Sequence, residues 1–423
     1  FIVVAASGYV SAELRIGTLD RLLTNYGILV LVKVSALIVL GFLGLLQRRF
    51  LLTRMQRGGQ PAGRWFWWLV VTELGFMGLA SGVAAALAKT ATPVAQVVAT
   101  QQPTATAAQI LTAEPLPPEL TFARYFTEWG FDLAWVLFCA FGIFFYLAGV
   151  ARLRRRGDKW PLYRTVLWVL GMLTLFYITN GGVNVYGTYL FSTHMLAHMA
   201  LTMLVPVLLV PGAPVTLAAR AIRKRQDDSR GPREWILLAV HSKYAGTLSH
   251  PFVAAALFAG SLWVFYYSPL FSWATTDHIG HEWMVVHFLI TGYLFVQSLI
   301  GIDPVPYRLP YAFRLLLLLG TMAFHAFFGV AMMTGTGLLL ADWYGAMGRD
   351  WGPSAIADQQ AGGGIAWSIG EIPTIALAIA VAIQWSRSDE KETRRRDRNA
   401  DRTGEAELSE YNARLARLAT HDR

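Results

Sequence analysis

The segment Phe191-Ser-Thr-His-Met-Leu-Ala-His-Met199 opens an apolar run that continues to Val210. A run of about 20 apolar residues is long enough to cross a bilayer as a helix. Positions four apart share one helix face, so His194 and His198 point the same way, each followed by a methionine. Imidazole and thioether suit copper, and thioether favours Cu(I). Because ionisable side chains are costly in a membrane helix, the segment predicts both a span and a functional site.

The composition extends this prediction to the whole chain. Of 423 residues, 55% are hydrophobic and 15% are charged, and the mean hydropathy is +0.42. These values predict an all-α polytopic membrane helix bundle. Residues 1–8 read as the end of an apolar helix, so we expect further sequence upstream. With this fragment we predict about ten spans, near 27–47, 64–88, 128–150, 161–184, 192–212, 250–268, 281–301, 311–333 and 366–385.

The net charge of +9 reflects membrane topology rather than nucleic-acid binding. The basic residues cluster in alternate short loops and in the tail from Arg387, which the span count places on one side of the membrane. By the positive-inside rule this side is the cytoplasm, so we predict a cytoplasmic C-terminus. The single cysteine, Cys139, excludes an intramolecular disulfide and a copper site made of a cysteine pair.

The Ala-, Thr-, Gln- and Pro-rich residues 91–119 resemble a linker on the outer side. They separate a membrane segment, residues 1–90, from a seven-span domain, residues 120–386. Residues 387–423 then form a charged cytoplasmic tail.

All nine histidines lie after residue 193. At 1.5 Å per residue, His198, His287 and His325 lie roughly 9–12 Å from the outer ends of three different helices. His194 lies one turn nearer the surface. The predicted metal ligands are His194, His198, His287 and His325. The residues predicted to relay the metal to them are Met195, Met199, His278, His281, Met284 and Met332. The carboxylates predicted to orient the imidazoles are Asp132, Asp277, Asp358 and Glu371.

Other readings of these residues stay open. Methionines in membrane helices usually only pack, and a lone buried histidine is often just hydrogen-bonded. His198 and His325 are also candidate axial ligands of a bis-histidine haem redox protein. A copper importer is a third reading, although the inner halves of the later spans hold almost no ionisable side chains. No activated nucleophile or acid–base pair is visible, so we predict no catalytic residues and a carrier, not an enzyme.

Two sets of motifs carry a family resemblance. Residues 120–385 resemble the CtaG family of seven-span cytochrome oxidase assembly proteins. The N-terminal part resembles the end of the CopD copper-resistance family, through Tyr26-Gly27…Lys33 and Arg64…Glu73-Leu74. The motifs shared with the CtaG family are residues 191–199, Val210-Pro-Gly-Ala-Pro214, His287, His325, Asp358-Gln-Gln-Ala-Gly362 and Trp367.

A CopD–CtaG fusion implies a membrane copper-binding assembly factor in the bacterial plasma membrane. It would deliver copper to a haem–copper cytochrome c oxidase from the outer side. The implied cargo is copper, and the implied partners are oxidase subunits or a respiratory supercomplex together with membrane lipid, with no nucleic acid.

Overall fold

The computed structural model describes Gly8 and residues 23–46, 62–90, 105–224, 230–403 and 406–421. The apolar fragment predicted at residues 1–8 lies outside the described residues except for Gly8. The basic loop at 47–61 also lies outside them. The chain divides into two compact units, Phe1–Thr104 and Ala105–Arg423. The domain boundaries drawn from the sequence stay a prediction.

In the N-terminal unit, helices α1 (Asn25–Leu46) and α2 (Ala62–Lys89) pack against each other. Tyr26, Val83 and Leu87 form the small apolar core between them. Among the side chains that the structure describes here, most other large apolar ones are exposed, as expected for membrane-spanning helices.

The described part of the C-terminal unit consists of helices and their connections. Its helices are α3 (Ala107–Thr112), α4 (Arg124–Thr127), α5 (Leu133–Arg155), α6 (Leu162–Asn180), α7 (Gly182–Gly187), α8 (Phe191–Met199), α9 (Val205–Leu209), α10 (Pro214–Ala221), α11 (Pro232–Val240), α12 (Lys243–Leu248), α13 (Pro251–Tyr266), α14 (Pro269–Thr276), α15 (His278–Ile300), α16 (Tyr311–Thr334), α17 (Ala355–Ile369), α18 (Glu371–Thr403) and α19 (Ala406–His421).

Eight helices of the described residues are long and apolar enough to cross a membrane, or nine if one bent pair counts as a span. This confirms the predicted all-α polytopic membrane bundle. The bent pair is α13 and α14, which meet at 78°. Pro269 cannot continue the helical hydrogen bonding, and it forces the preceding Ser268 into an extended conformation. The span predicted at 250–268 therefore stops at Tyr266.

The last span begins earlier than predicted. The sequence pattern placed its start at residue 366, whereas α17 begins at Ala355, where the Ser354 side chain caps the first turn. Residues 358–362 are therefore helical rather than a lead-in loop. The helix breaks at Gly370 and α18 then runs on to Thr403, so the charged tail predicted from 387 begins as a continuation of this helix.

Helix α8 widens into a π-helical turn, Ala200–Leu204, before α9 begins. Pro206 has no N–H to donate to the carbonyl of Thr202 four residues earlier. This carbonyl instead lies against Gly292 of α15, where a Cβ atom would collide with it. The absence of a side chain at Gly292 therefore lets α15 approach α8 closely, which brings Phe288 against the ring of His198.

Candidate metal centre

A cavity of about 60 Å³ lies at the end of the bundle where α8 and α15 begin. We call this end the cavity end. His194 and His198 of α8 line it together with His281 and Met284 of α15. The ring centroids of the two α8 histidines are 6.0 Å apart. The i, i+4 spacing read from the sequence thus places both imidazoles on one face of α8, beside the same cavity.

The Nε2 atoms of His194 and His198 are buried and have no hydrogen-bond partner within the protein. Buried polar atoms in folded proteins are almost always hydrogen-bonded, so two orphaned nitrogens beside one cavity call for an explanation. An unprotonated imidazole nitrogen is a common metal ligand. The pair therefore presents two nitrogen atoms of the kind that binds metal ions.

Tyr266 fixes the orientation of one of these imidazoles. Its hydroxyl oxygen lies 2.6 Å from Nδ1 of His198 and 3.9 Å from the sulfur of Met195. The network is satisfied when His198 Nδ1–H donates to the Tyr266 oxygen and the Tyr266 hydroxyl donates to the sulfur. This tautomer leaves the Nε2 lone pair of His198 free. A hydrogen bond at the second ring nitrogen is the usual device that orients metal-bound histidine.

We expect Tyr266→Phe to weaken copper binding by about 10–100-fold, the usual cost of losing a partner that orients a metal-bound imidazole. The phenyl ring keeps the packing but cannot bind Nδ1 of His198. The measurement is a competition titration of purified protein with a Cu(I) chelator. Tyr267→Phe is the matched control, because Tyr267 is 53% exposed on the same helix end. Equal affinities in the two variants would contradict the assignment.

The other two predicted ligands flank the pair without lining the cavity. His287 stacks on Trp283, with ring centroids 4.9 Å apart. Nε2 of His325 lies 3.1 Å from the carbonyl oxygen of Ala366, and its Nδ1 is buried without a partner. Both rings are close enough to His198 for an electrostatic interaction. The structure therefore gathers all four histidines in one region, and their shared role as ligands stays a prediction.

The residues of the predicted relay separate into two groups. Met284 and His281 line the cavity, whereas His278 is exposed at its rim. Met195, Met199 and Met332 are buried in the apolar core. The sulfur of Met195 accepts the Tyr266 hydrogen bond.

The predicted carboxylates mainly hold helix ends. Asp358 is buried on α17, and its side chain accepts hydrogen bonds from the Phe191 N–H at 2.6 Å and the Ser192 hydroxyl at 2.5 Å, at the start of α8. Asp277 caps α15. Asp132 precedes α5 and caps it, rather than lying a turn inside the span. Glu371 is exposed at the break between α17 and α18.

The loop after α16 closes the side of the cavity. Trp343 and Tyr344 line it, and they donate hydrogen bonds to the carbonyl oxygens of Thr188 at 2.9 Å and Gly187 at 3.1 Å. Burial, with a smaller contribution from the charge of Asp358, raises the pKa of Tyr344. Tyr344 therefore stays protonated, and its hydrogen bond to Gly187 holds this loop against the segment before α8.

Comparison with known proteins adds two family matches. Residues 144–388 match the family described as cytochrome c oxidase caa3 assembly factor, and residues 1–87 match the one described as copper resistance protein D. An uncharacterized protein of Mycobacterium leprae is 45% identical over 308 residues, which cover 72% of this chain and 46% of that protein. An uncharacterized protein of Mycobacterium tuberculosis is 44% identical over 319 residues, which cover 74% of this chain and 48% of that protein. The chain thus spans about half the length of these curated relatives. No solved structure matches it.

Proposed function

Because the chain belongs to the cytochrome c oxidase caa3 assembly factor family, we propose that it delivers copper to a haem–copper oxidase from the outer side of the membrane. The CopD match at residues 1–87 and the CtaG match at 144–388 confirm the predicted fusion. The chain is accordingly a multi-pass membrane protein related to oxidase assembly and to copper. Delivery itself, its direction and the partner belong to the proposal.

The observation that carries the proposal is the pair of unpartnered Nε2 atoms of His194 and His198 beside one small cavity. A cavity of about 60 Å³ accommodates an ion with a water or two, since a water molecule occupies about 30 Å³. Sites for larger molecules are usually about 300–1,000 Å³. Phe288 also packs on His198, with ring centroids 3.6 Å apart. The space favours a metal ion over the haem alternative.

The charge distribution supports an outward-facing cavity. Helix α5 starts at the cavity end and finishes in a basic turn with Arg152, Arg154 and Arg155. Helix α18 likewise runs away from α17 into its charged continuation. Basic residues at one end of a bundle mark the cytoplasmic side. We therefore assign the cavity end to the outer side and the C-terminus to the cytoplasm.

The ligand chemistry supports a carrier outside the cytoplasm. Free thiols there tend to oxidise, whereas imidazole holds copper without this liability. Cys139, the one cysteine, is buried within α5. A histidine pair can bind copper and release it to a partner site when the partner's ligands replace the imidazole nitrogens.

Deletion of the gene is expected to leave an oxidase that contains haem but has lost most of its copper. Oxygen consumption should fall with the copper content and recover in part when copper is added to the medium. The measurement is metal and haem analysis of oxidase purified from the deletion strain. Complementation with the whole gene should restore copper, and complementation with a His194→Ala, His198→Ala gene should not.

A normal copper content in oxidase from the deletion strain would overturn the proposal. Copper resistance would then be the better account, and it would show as sensitivity of the deletion strain to added copper. Crosslinking from the exposed end of α14 tests the partner independently, because an oxidase subunit should be captured there.

A further inference from the structure

Three side chains with metal-binding atoms meet at the rim of the cavity end. Asp132 lies at the start of α5, and His278 and Glu282 lie one turn apart on the same face of α15. One potential ligand atom from each residue lies within 4.8 Å of the others. We call these three residues the rim cluster. The sequence predicts Asp132 as a carboxylate that orients an imidazole and His278 as a relay residue, and no sequence motif singles out Glu282.

The rim cluster is held in place by bonds that do not use up its ligand atoms. The indole N–H of Trp135 donates to Glu282 Oε2 at 2.8 Å. Asp132 Oδ1 accepts the N–H of Ala134 at 2.7 Å as the helix cap, while its Oδ2 lies 4.0 Å from Nε2 of His278. Each carboxylate therefore keeps one oxygen that is not engaged in these bonds, and the geometry is preorganised.

The charges of the rim cluster are unbalanced. Asp132 and Glu282 lie close enough for their carboxyl groups to interact directly. Among the described residues, the basic side chain within ion-pair distance of Asp132 is His278, which is charged only when protonated and is 76% exposed. Two carboxylates held at this distance repel each other unless a cation or a shared proton lies between them. A divalent cation satisfies both carboxylates and the imidazole.

The rim cluster is also connected to the histidine pair. His281 lines the cavity and interacts electrostatically with His278 and Asp132 on one side and with His194 on the other. Beyond it are the buried, unpartnered Nε2 atoms of His194 and His198. These orphaned nitrogens are a separate observation that points to a metal.

We propose that the rim cluster binds Cu²⁺ at a site of its own, beside the cavity of the histidine pair. One imidazole and two carboxylate oxygens are ligands that suit Cu²⁺ better than Cu⁺, which prefers sulfur. The exposed side of His278 leaves room for water to complete the coordination. Cu²⁺ binding at the rim cluster does not depend on the proposed function.

The test is a Cu²⁺ titration of the purified full chain followed by electron paramagnetic resonance. The double variant Glu282→Gln, His278→Ala should lose one equivalent of Cu²⁺ whose signal shows coupling to a single nitrogen. Glutamine retains an oxygen for the Trp135 N–H, so the bundle should stay folded. The matched control is Glu114→Gln, His241→Ala, because both residues are exposed and lie outside the rim cluster and the cavity. It should keep the full signal.

An unchanged Cu²⁺ stoichiometry in the rim double variant overturns the inference and leaves a shared proton between the carboxylates as the explanation. His198→Ala should keep the rim signal, and its loss in that variant would also overturn the inference. The oxidase deletion strain separates this result from the proposed function. Copper-replete oxidase there would refute delivery without affecting the rim site, whereas copper-poor oxidase with an unchanged rim titration would refute the rim site alone.

Discussion

Replacing His194 and His198 together with alanine should abolish tight Cu(I) binding by the purified protein. Both residues line the same cavity and both present a buried nitrogen without a partner. Removing the ligands themselves should cost more than the about 10–100-fold that follows loss of an orienting partner. A chelator competition titration with Cu(I) measures the loss.

The metal-free fold should survive the change at His194, because its buried Nε2 makes no hydrogen bond that folding would lose. His198→Gln separates the two effects at the second position, since it keeps a polar side chain near Tyr266 but has no imidazole. His241→Ala is the control, because His241 is exposed at the end of α11. If copper stoichiometry in the double variant equals that of the control, the site lies elsewhere.

Asp358→Ala should be the most destabilising single substitution near the site. Asp358 is 1% exposed, and its carboxylate binds the Phe191 N–H and the Ser192 hydroxyl. Each buried donor left without a partner costs about 1–3 kcal/mol. A carboxylate at the N-terminal end of α8 also interacts favourably with the helix dipole. Thermal unfolding in detergent measures the effect, and copper binding should fall with it because α8 carries both histidines.

Two conservative substitutions should lower the thermal stability less than Asp358→Ala. In Asp358→Asn the amide oxygen can accept the Phe191 N–H while the amide nitrogen donates to the Ser192 oxygen, so little stability should be lost. Ser192→Ala removes only the hydroxyl and should cost less than Asp358→Ala. If alanine and asparagine at 358 were equally tolerated, the carboxylate would not be what holds the start of α8.

Local patterns were enough to predict the spans and the His194–His198 pair. Apolar length identifies a membrane helix, and i, i+4 spacing places two side chains on one face whatever the rest of the fold does. The depth of a residue along its helix also follows from its distance in sequence from the helix end, so the sequence predicts His287 and His325 near the pair.

The rotation of one helix relative to another about its own axis cannot be predicted from the sequence patterns. It decides that His287 does not line the cavity, and that Asp132 meets Glu282. Tyr266 reaches His198 at the point where α13 ends before Pro269, and no spacing in the sequence links these two residues. Contacts between segments far apart in the chain depend on packing that no single segment encodes.

The sharp bend between α13 and α14 has a consequence for how the protein sits in bilayers of different thickness. Trp273 of α14 lies beside Trp283, with ring centroids 5.8 Å apart, and both indoles are partly exposed. Tryptophan prefers the interface between lipid headgroups and acyl chains, so we expect this pair to anchor the cavity end at that level. Hydrophobic mismatch should then be accommodated at the opposite, basic end. We therefore expect the histidine pair to keep the same distance from the water phase in a thin and in a thick membrane.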